Sequence, residues 1–99
     1  MEELRFDWDE VKNRQDRGKH GVSLEEAQSV FFDERAIRYF DPDHSEDEAR
    51  FVLLGMSLIL RVLVVCHCYH ADASMIRIIS ARKANANEAR ADVAHEVEP

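Results

Sequence analysis

Leu4, Arg5 and Phe6 alternate apolar, polar, apolar, the period of a half-buried strand. Asp7 then stands as a helix N-cap with Glu10 three residues on, a capping box, and Gly21 can take the left-handed conformation that ends a helix near His20. From Asp9 to His20 the only apolar side chain is Val11, which with Trp8 makes one small anchor. The pattern predicts a surface helix, mostly solvated. Val22-Ser23-Leu24-Glu25-Glu26 restarts a helix at once: Ser23 caps it, Glu26 closes a second box, and Val22 can staple onto Ala27. Leu24, Ala27, Val30 and Phe31 recur at spacings of three and four, so this helix buries a stripe, ending near Asp33.

Ala36 to Phe40 reads as a strand, stopped by Asp41-Pro42-Asp43. After an acidic loop, Asp43 to Glu48, strands are expected near Arg50–Ser57, Arg61–His70 and Met75–Ala81. Their connections, at Leu58–Leu60 and around Ala71–Ser74, are too short for a parallel crossover, so the strands pair as antiparallel hairpins. Asn85 and Glu88 form a last capping pair, ahead of a modest stripe of Ala86, Ala89, Val93 and Val97. The expected architecture is α+β: two N-terminal helices, a four-stranded antiparallel meander to which a short N-terminal strand can add, and a C-terminal helix packed on it. All of residues 1–99 belong to this single domain.

Composition narrows the class. Ninety-nine residues, 45% hydrophobic with three Gly and two Pro, describe a globular chain rather than a disordered or collagen-like one. Twenty acidic against 13 basic side chains give a net charge of −7, which taken whole argues against a phosphate-binding surface. The distribution weakens that exclusion. Residues 11–20 carry Lys12, Arg14, Arg17 and Lys19 against Asp16, and residues 61–83 carry Arg61, Arg77, Arg82 and Lys83 against Asp72. The acids concentrate between Asp33 and Glu48. The two basic segments are expected to converge on one positive face.

Cys66 and Cys68 sit one residue apart on a strand, ~6.5–7 Å apart at Cα, too far for an unstrained bridge. Reduced cysteines and a polar N-terminus suit a cytoplasmic protein. The apolar window Phe51–Tyr69 holds Arg61 near its middle, which costs about 2.5–3.5 kcal/mol at the centre of a bilayer, so two strands and a turn fit better than a membrane helix.

Alternation puts Leu63, Val65, His67 and Tyr69 on one face of their strand, and Arg77, Ile79 and Ala81 on one face of the next. With the loop centred on Asp72, His67 lies opposite Arg77 and Val65 opposite Ile79, about 4.5–5.5 Å apart at Cβ. An imidazole, a phenol and a guanidinium would then meet, with Arg82 and Lys83 just beyond. Cleaving RNA by its own 2′-hydroxyl needs a base, a cation for the phosphorane and an acid for the leaving oxygen, and these groups can supply all three. An ordinary sheet face, with Arg77 paired to an acid and His67 packed, fits the same spacing. Cys66, His67, Cys68 and His70 look like metal ligands, but alternation sends His67 away from both thiols and no second Cys pair closes a site, so no metal is expected. No cofactor motif is present in the sequence.

Phe6-Asp7-Trp8-Asp9-Glu10 with Lys12, then Lys19-His20-Gly21-Val22-Ser23 with Glu25-Glu26-Ala27, resembles the start of BrnT family toxins. Arg50-Phe51, Gly55-Met56-Ser57 and Ile76-Arg77-Ile78-Ile79-Ser80-Ala81-Arg82-Lys83-Ala84 resemble its second half. The resemblance implies a RelE-like fold and a metal-independent ribonuclease toxin of a type II toxin–antitoxin system that shuts down translation. It also implies a ribbon-helix-helix antitoxin that neutralises the toxin and carries the only, indirect, link to DNA. Lys19, His20, Arg77, Arg82 and Lys83 fall on family motif positions, and His67 and Tyr69 match a common variant. Three departures stand out: His70 where many relatives have Arg, the apolar tip Leu58-Ile59-Leu60, and Asp92-Val93 where an aromatic is expected.

The combined expectation is a ribonuclease with His67, Tyr69, Arg77 and Arg82 catalytic, and Lys12, Lys19, His20, Arg61, His70 and Lys83 on the RNA. Homodimers and toxin–antitoxin hetero-oligomers both remain open. The competing expectation is a catalytically weak homologue acting as an antitoxin-binding module in operon autoregulation.

Overall fold

The computed structural model describes residues 4–70 and 74–97, with side chains as far as Asp92. In chain order it comprises β1 (Arg5–Asp7), α1 (Glu10–His20), α2 (Leu24–Ser29), a 3₁₀ turn (Val30–Phe32) and β2 (Ile37–Asp41). A second 3₁₀ turn (Pro42–His44), β3 (Arg50–Met56), β4 (Val62–His70), β5 (Met75–Lys83) and α3 (Ala86–Val97) follow. β2 to β5 form the expected antiparallel meander. β1 joins its far edge parallel to β5, making a five-stranded mixed sheet in the order β1-β5-β4-β3-β2. The turn expected around Asp72 and the side chains of Val93, His95 and Val97 lie outside the described residues.

The core lies between one sheet face and α1–α2. Val22, Leu24, Ala27 and Val30 pack on Leu53, Leu63, Val65, Ile76, Ile78 and Ala81, with Phe6, Trp8, Phe31 and Tyr69 closing the rim. This is the stripe that the spacing of α2 predicts, and a 3₁₀ turn finishes it. α3 lies against part of the other face, where Leu54 and Val64 are also buried, and we call this second face the open face.

α1 departs from its hydrophobic pattern in an instructive way. Its N-cap is Asp9, whose carboxylate accepts from the N–H groups of Val11 and Lys12; Asp7 is instead drawn into β1 and pairs with Arg77 at 3.1 Å. Val11 is exposed, and the fully buried residues of α1 are Asn13 and Asp16. Asn13 accepts from the Leu24 N–H at 2.9 Å and donates to Glu25, while Asp16 accepts from the Ala81 N–H at 3.2 Å and from Lys12 Nζ at 2.7 Å. The helix is anchored by polar groups that satisfy backbone donors of α2 and β5, a device that apolar periodicity does not register.

At α2, Ser23 Oγ accepts from the Glu26 N–H as a cap, at 3.0 Å. Glu26 does not return the bond. Its carboxylate accepts from Ser57 Oγ at 2.7 Å and from Arg61 Nε at 2.8 Å, tying α2 to the β3–β4 turn. Asn85 and Glu88 do exchange the expected reciprocal bonds at the start of α3.

Candidate functional site

A β-bulge decides which side chains meet. Val65 pairs with Ala81 and Cys66 with Ser80, but His67 pairs with Ile78, leaving Ile79 as an extra residue on β5. Below the bulge Cys68 faces Arg77, Tyr69 faces Ile76 and His70 faces Met75. The expected pairing of His67 with Arg77 is therefore corrected by one residue, and a slip of one residue turns a side chain to the other face. Ala81 points into the core with Ile78, while Arg77 lies with Cys68 on the open face.

His67 and Tyr69 stay on the helix-covered face. His67 is fully buried, its ring edge-on to Phe31 with centroids 4.8 Å apart. Nδ1 lies 3.2 Å from the Val65 carbonyl, which can only accept, so Nδ1 carries the hydrogen. Burial, first, and the nearby Arg38 charge push the imidazole pKa down, so the ring is neutral and Nε2 accepts from the Tyr69 hydroxyl at 3.2 Å. Arg38 Nη1 donates to that same hydroxyl at 3.1 Å and stacks over Phe51 and Tyr69. The result is a directed hydrogen-bond chain from the exposed guanidinium of Arg38 to a buried backbone carbonyl.

Arg77 lies in different company. Lys12, Arg50, Cys68, His70 and Arg77 line a cleft of about 270 Å³ with Asp9 and Glu48. β3, β4 and β5 set this arrangement directly, because Arg50, Cys68 and Arg77 are successive cross-strand partners. α1 brings Lys12 over the rim from the β1 edge, beside its capping residue Asp9. Arg50 Nε is buried with no hydrogen-bond partner among the described residues, and Arg77 is 38% exposed. Cys68 Sγ lies 3.5 Å from Glu48 Oε1 and 3.6 Å from His70 Nε2. Burial and the Glu48 carboxylate push this thiol up to about 11.

The remaining expected site residues, the catalytic candidate Arg82 and the other RNA contacts, fall elsewhere. Arg82 shares the open face, but Glu88 grips it with two bonds of 2.8 Å. That pair raises the Arg82 pKa and lowers that of Glu88. Arg61 is committed to Glu26 and to the Gly21 carbonyl at the end of α1. Lys19, His20 and Lys83 are exposed. The two basic segments thus meet at two places, Lys12 with His70 and Arg77 at one end of α1, and the α1 C-terminus with Arg61 at the other. Both cysteines are free and lie away from His67, as alternation requires. Arg38 and Glu48 have no motif of their own in the sequence, and Arg50, though part of the Arg50-Phe51 segment, has nothing there to assign it to the site; only the register gives them neighbours.

Three helices with a mixed five-stranded sheet, and on one sheet face a cleft where Lys12, Arg50 and Arg77 meet the acids Asp9 and Glu48, define an α+β domain with a mixed-charge hollow on its open face. The crystal structure of the Brucella abortus ribonuclease toxin BrnT shares this fold, with a TM-score of 0.61 and 20% identity over 84% of this chain and 99% of that chain. Residues 8–88 match the family described as ribonuclease toxin, BrnT, of type II toxin–antitoxin system, and the chain belongs to that family. No curated protein matches the sequence.

Proposed function

We propose that this toxin cleaves RNA without a metal in the open-face cleft, acts in the cytoplasm to arrest translation, and is neutralised by a ribbon-helix-helix antitoxin. The observation that carries the site is the convergence of Lys12, Arg50, His70 and Arg77 on one cleft. His70 takes the proton of the 2′-hydroxyl, whose oxygen bonds to phosphorus as the bond to the 5′-oxygen breaks. It then returns the proton through solvent to that leaving oxygen. Arg77 and Arg50 stabilise the phosphorane charge, and Lys12 holds the adjacent phosphate. Lys83 adds exposed charge near the end of β5, whereas Lys19 and His20 lie at the far end of α1, and Arg82 and Arg61 are held by Glu88 and Glu26. The exposed tip of Leu58, Ile59 and Leu60 gives the antitoxin an apolar foothold.

A second reading has its own observation, the Arg38–Tyr69–His67 chain, with His67 and Tyr69 as the catalytic pair. Full burial of His67 counts against it, because a general base must reach the proton it removes. A third keeps the fold as an antitoxin-binding module without catalysis. Inducing the chain alone and following growth and bulk RNA separates these. The cleft reading expects growth arrest and RNA loss, both abolished by Arg77→Ala and retained by Tyr69→Phe. Unimpaired growth with well-folded protein would establish the module instead.

A further inference from the structure

The hydrogen bonds around Cys68 bring a thiol, an imidazole and a carboxylate together on the open face. Cys68 Sγ is 3.5 Å from a Glu48 oxygen and 3.6 Å from His70 Nε2, and all three donor atoms lie within 4.8 Å of one another. Zinc bonds of 2.3 Å to sulfur and 2.0–2.2 Å to nitrogen or oxygen, opened to the tetrahedral angle, set ligand atoms about 3.5 Å apart. The thiol stands at that spacing from each of its two neighbours. We propose that Glu48, Cys68 and His70 bind one zinc ion, with the fourth position open to the cleft.

The donor set selects the ion. One thiolate, one imidazole and one carboxylate suit zinc, whereas the hard cations magnesium and calcium take oxygen ligands. A divalent cation balances the thiolate and carboxylate charges, so the flanking Arg50 and Arg77 meet a neutral group rather than added positive charge. Two backbone features place the ligands. Cys68 and His70 alternate onto the same face of β4, and Glu48 closes over them from the segment just before β3. Cys66 lines a neighbouring hollow with Asp41, His44 and Ser80 and is not a ligand. Zinc bound here takes His70 out of proton transfer, so it inhibits the cleavage proposed above. That consequence rests on the cleft reading, whereas the binding does not.

The test is calorimetric titration of the metal-free full chain with zinc chloride, alongside the visible spectrum with cobalt(II). The expected result is one ion per chain, a thiolate-to-cobalt charge-transfer band, and affinity at least tenfold weaker in Cys68→Ser and His70→Ala but unchanged in Cys66→Ser. Because Cys68 is buried, the exposed Glu48→Gln and His70→Ala variants keep the test sound if Cys68→Ser misfolds. No binding, or binding undiminished in those two variants, overturns the site. Zinc binding that leaves RNA cleavage at its chelator-treated rate overturns the inhibition.

Discussion

His67 is held as a neutral ring by three groups at once: a carbonyl that takes its hydrogen, a hydroxyl that fills its other nitrogen, and an aromatic wall. An unfolded imidazole titrates near pH 6.5, and the folded one lies below that value. As pH falls through about 6.5 the unfolded chain binds the proton first, so stability drops; above that range the contribution is complete. Chemical denaturation of the parent should therefore show stability declining between about pH 7 and 5, and His67→Gln should flatten that decline. The carboxylates of Glu26 and Glu88, lowered chiefly by their Arg61 and Arg82 partners, contribute stability lost only at lower pH, below the ordinary carboxylate range. At this scale the sequence discloses residue types better than neighbours. Arg77 and His70 are legible as candidates, but Arg77 joins His70, Arg50 and Glu48 only through a bulge that leaves no mark in the alternation of β5.

The elements are tied together by polar groups in places where apolar pattern is thin. Asp16 bridges α1 to β5, and Asp16→Ala leaves the buried Ala81 N–H without an acceptor and frees Lys12. A loss of about 1–3 kcal/mol in urea denaturation is expected. Gly55 sits where the 3₁₀ turn and the segment after it press on β3: a Cβ there would stand 2.8 Å from Ala36 Cβ and 3.0 Å from both Val30 Cγ1 and Asp33 Oδ2. Gly55→Ala should cost about 1–3 kcal/mol, read as a fall in Tm, because Ala36 Cβ is fixed to backbone and cannot swing aside. The meander, the stripe of α2, the Gly21 end of α1 and the Asn85–Glu88 cap follow from short connections, spacing and capping residues, whereas α1 starts from Asp9 rather than Asp7 and Glu26 turns away from its box to Ser57 and Arg61. The anchoring of α1 is not, since Asn13 and Asp16 look like solvated positions until α2 and β5 offer them backbone donors. The parallel placement of β1 is likewise set by what lies beside it, with Asp7 reaching Arg77 across the new pair.

For the whole molecule, a net charge of −7 coexists with a cleft lined by Lys12, Arg50 and Arg77. Glu26, Asp16, Glu88 and Asp7 pair with Arg61, Lys12, Arg82 and Arg77, so two of the three cations at the cleft must exchange a carboxylate for a phosphate, while Arg50 Nε has no hydrogen-bond partner among the described residues. The most direct test of that assignment is the rate at which purified chain, with chelator present, cuts RNA in the Arg77→Ala and His67→Gln variants, each shown to be folded. The cleft account expects Arg77→Ala to lose roughly 100-fold or more, as when a transition-state donor is removed, with His67→Gln within a few-fold of the parent. The reverse ranking, with Arg77→Ala fully active and His67→Gln dead, would contradict it.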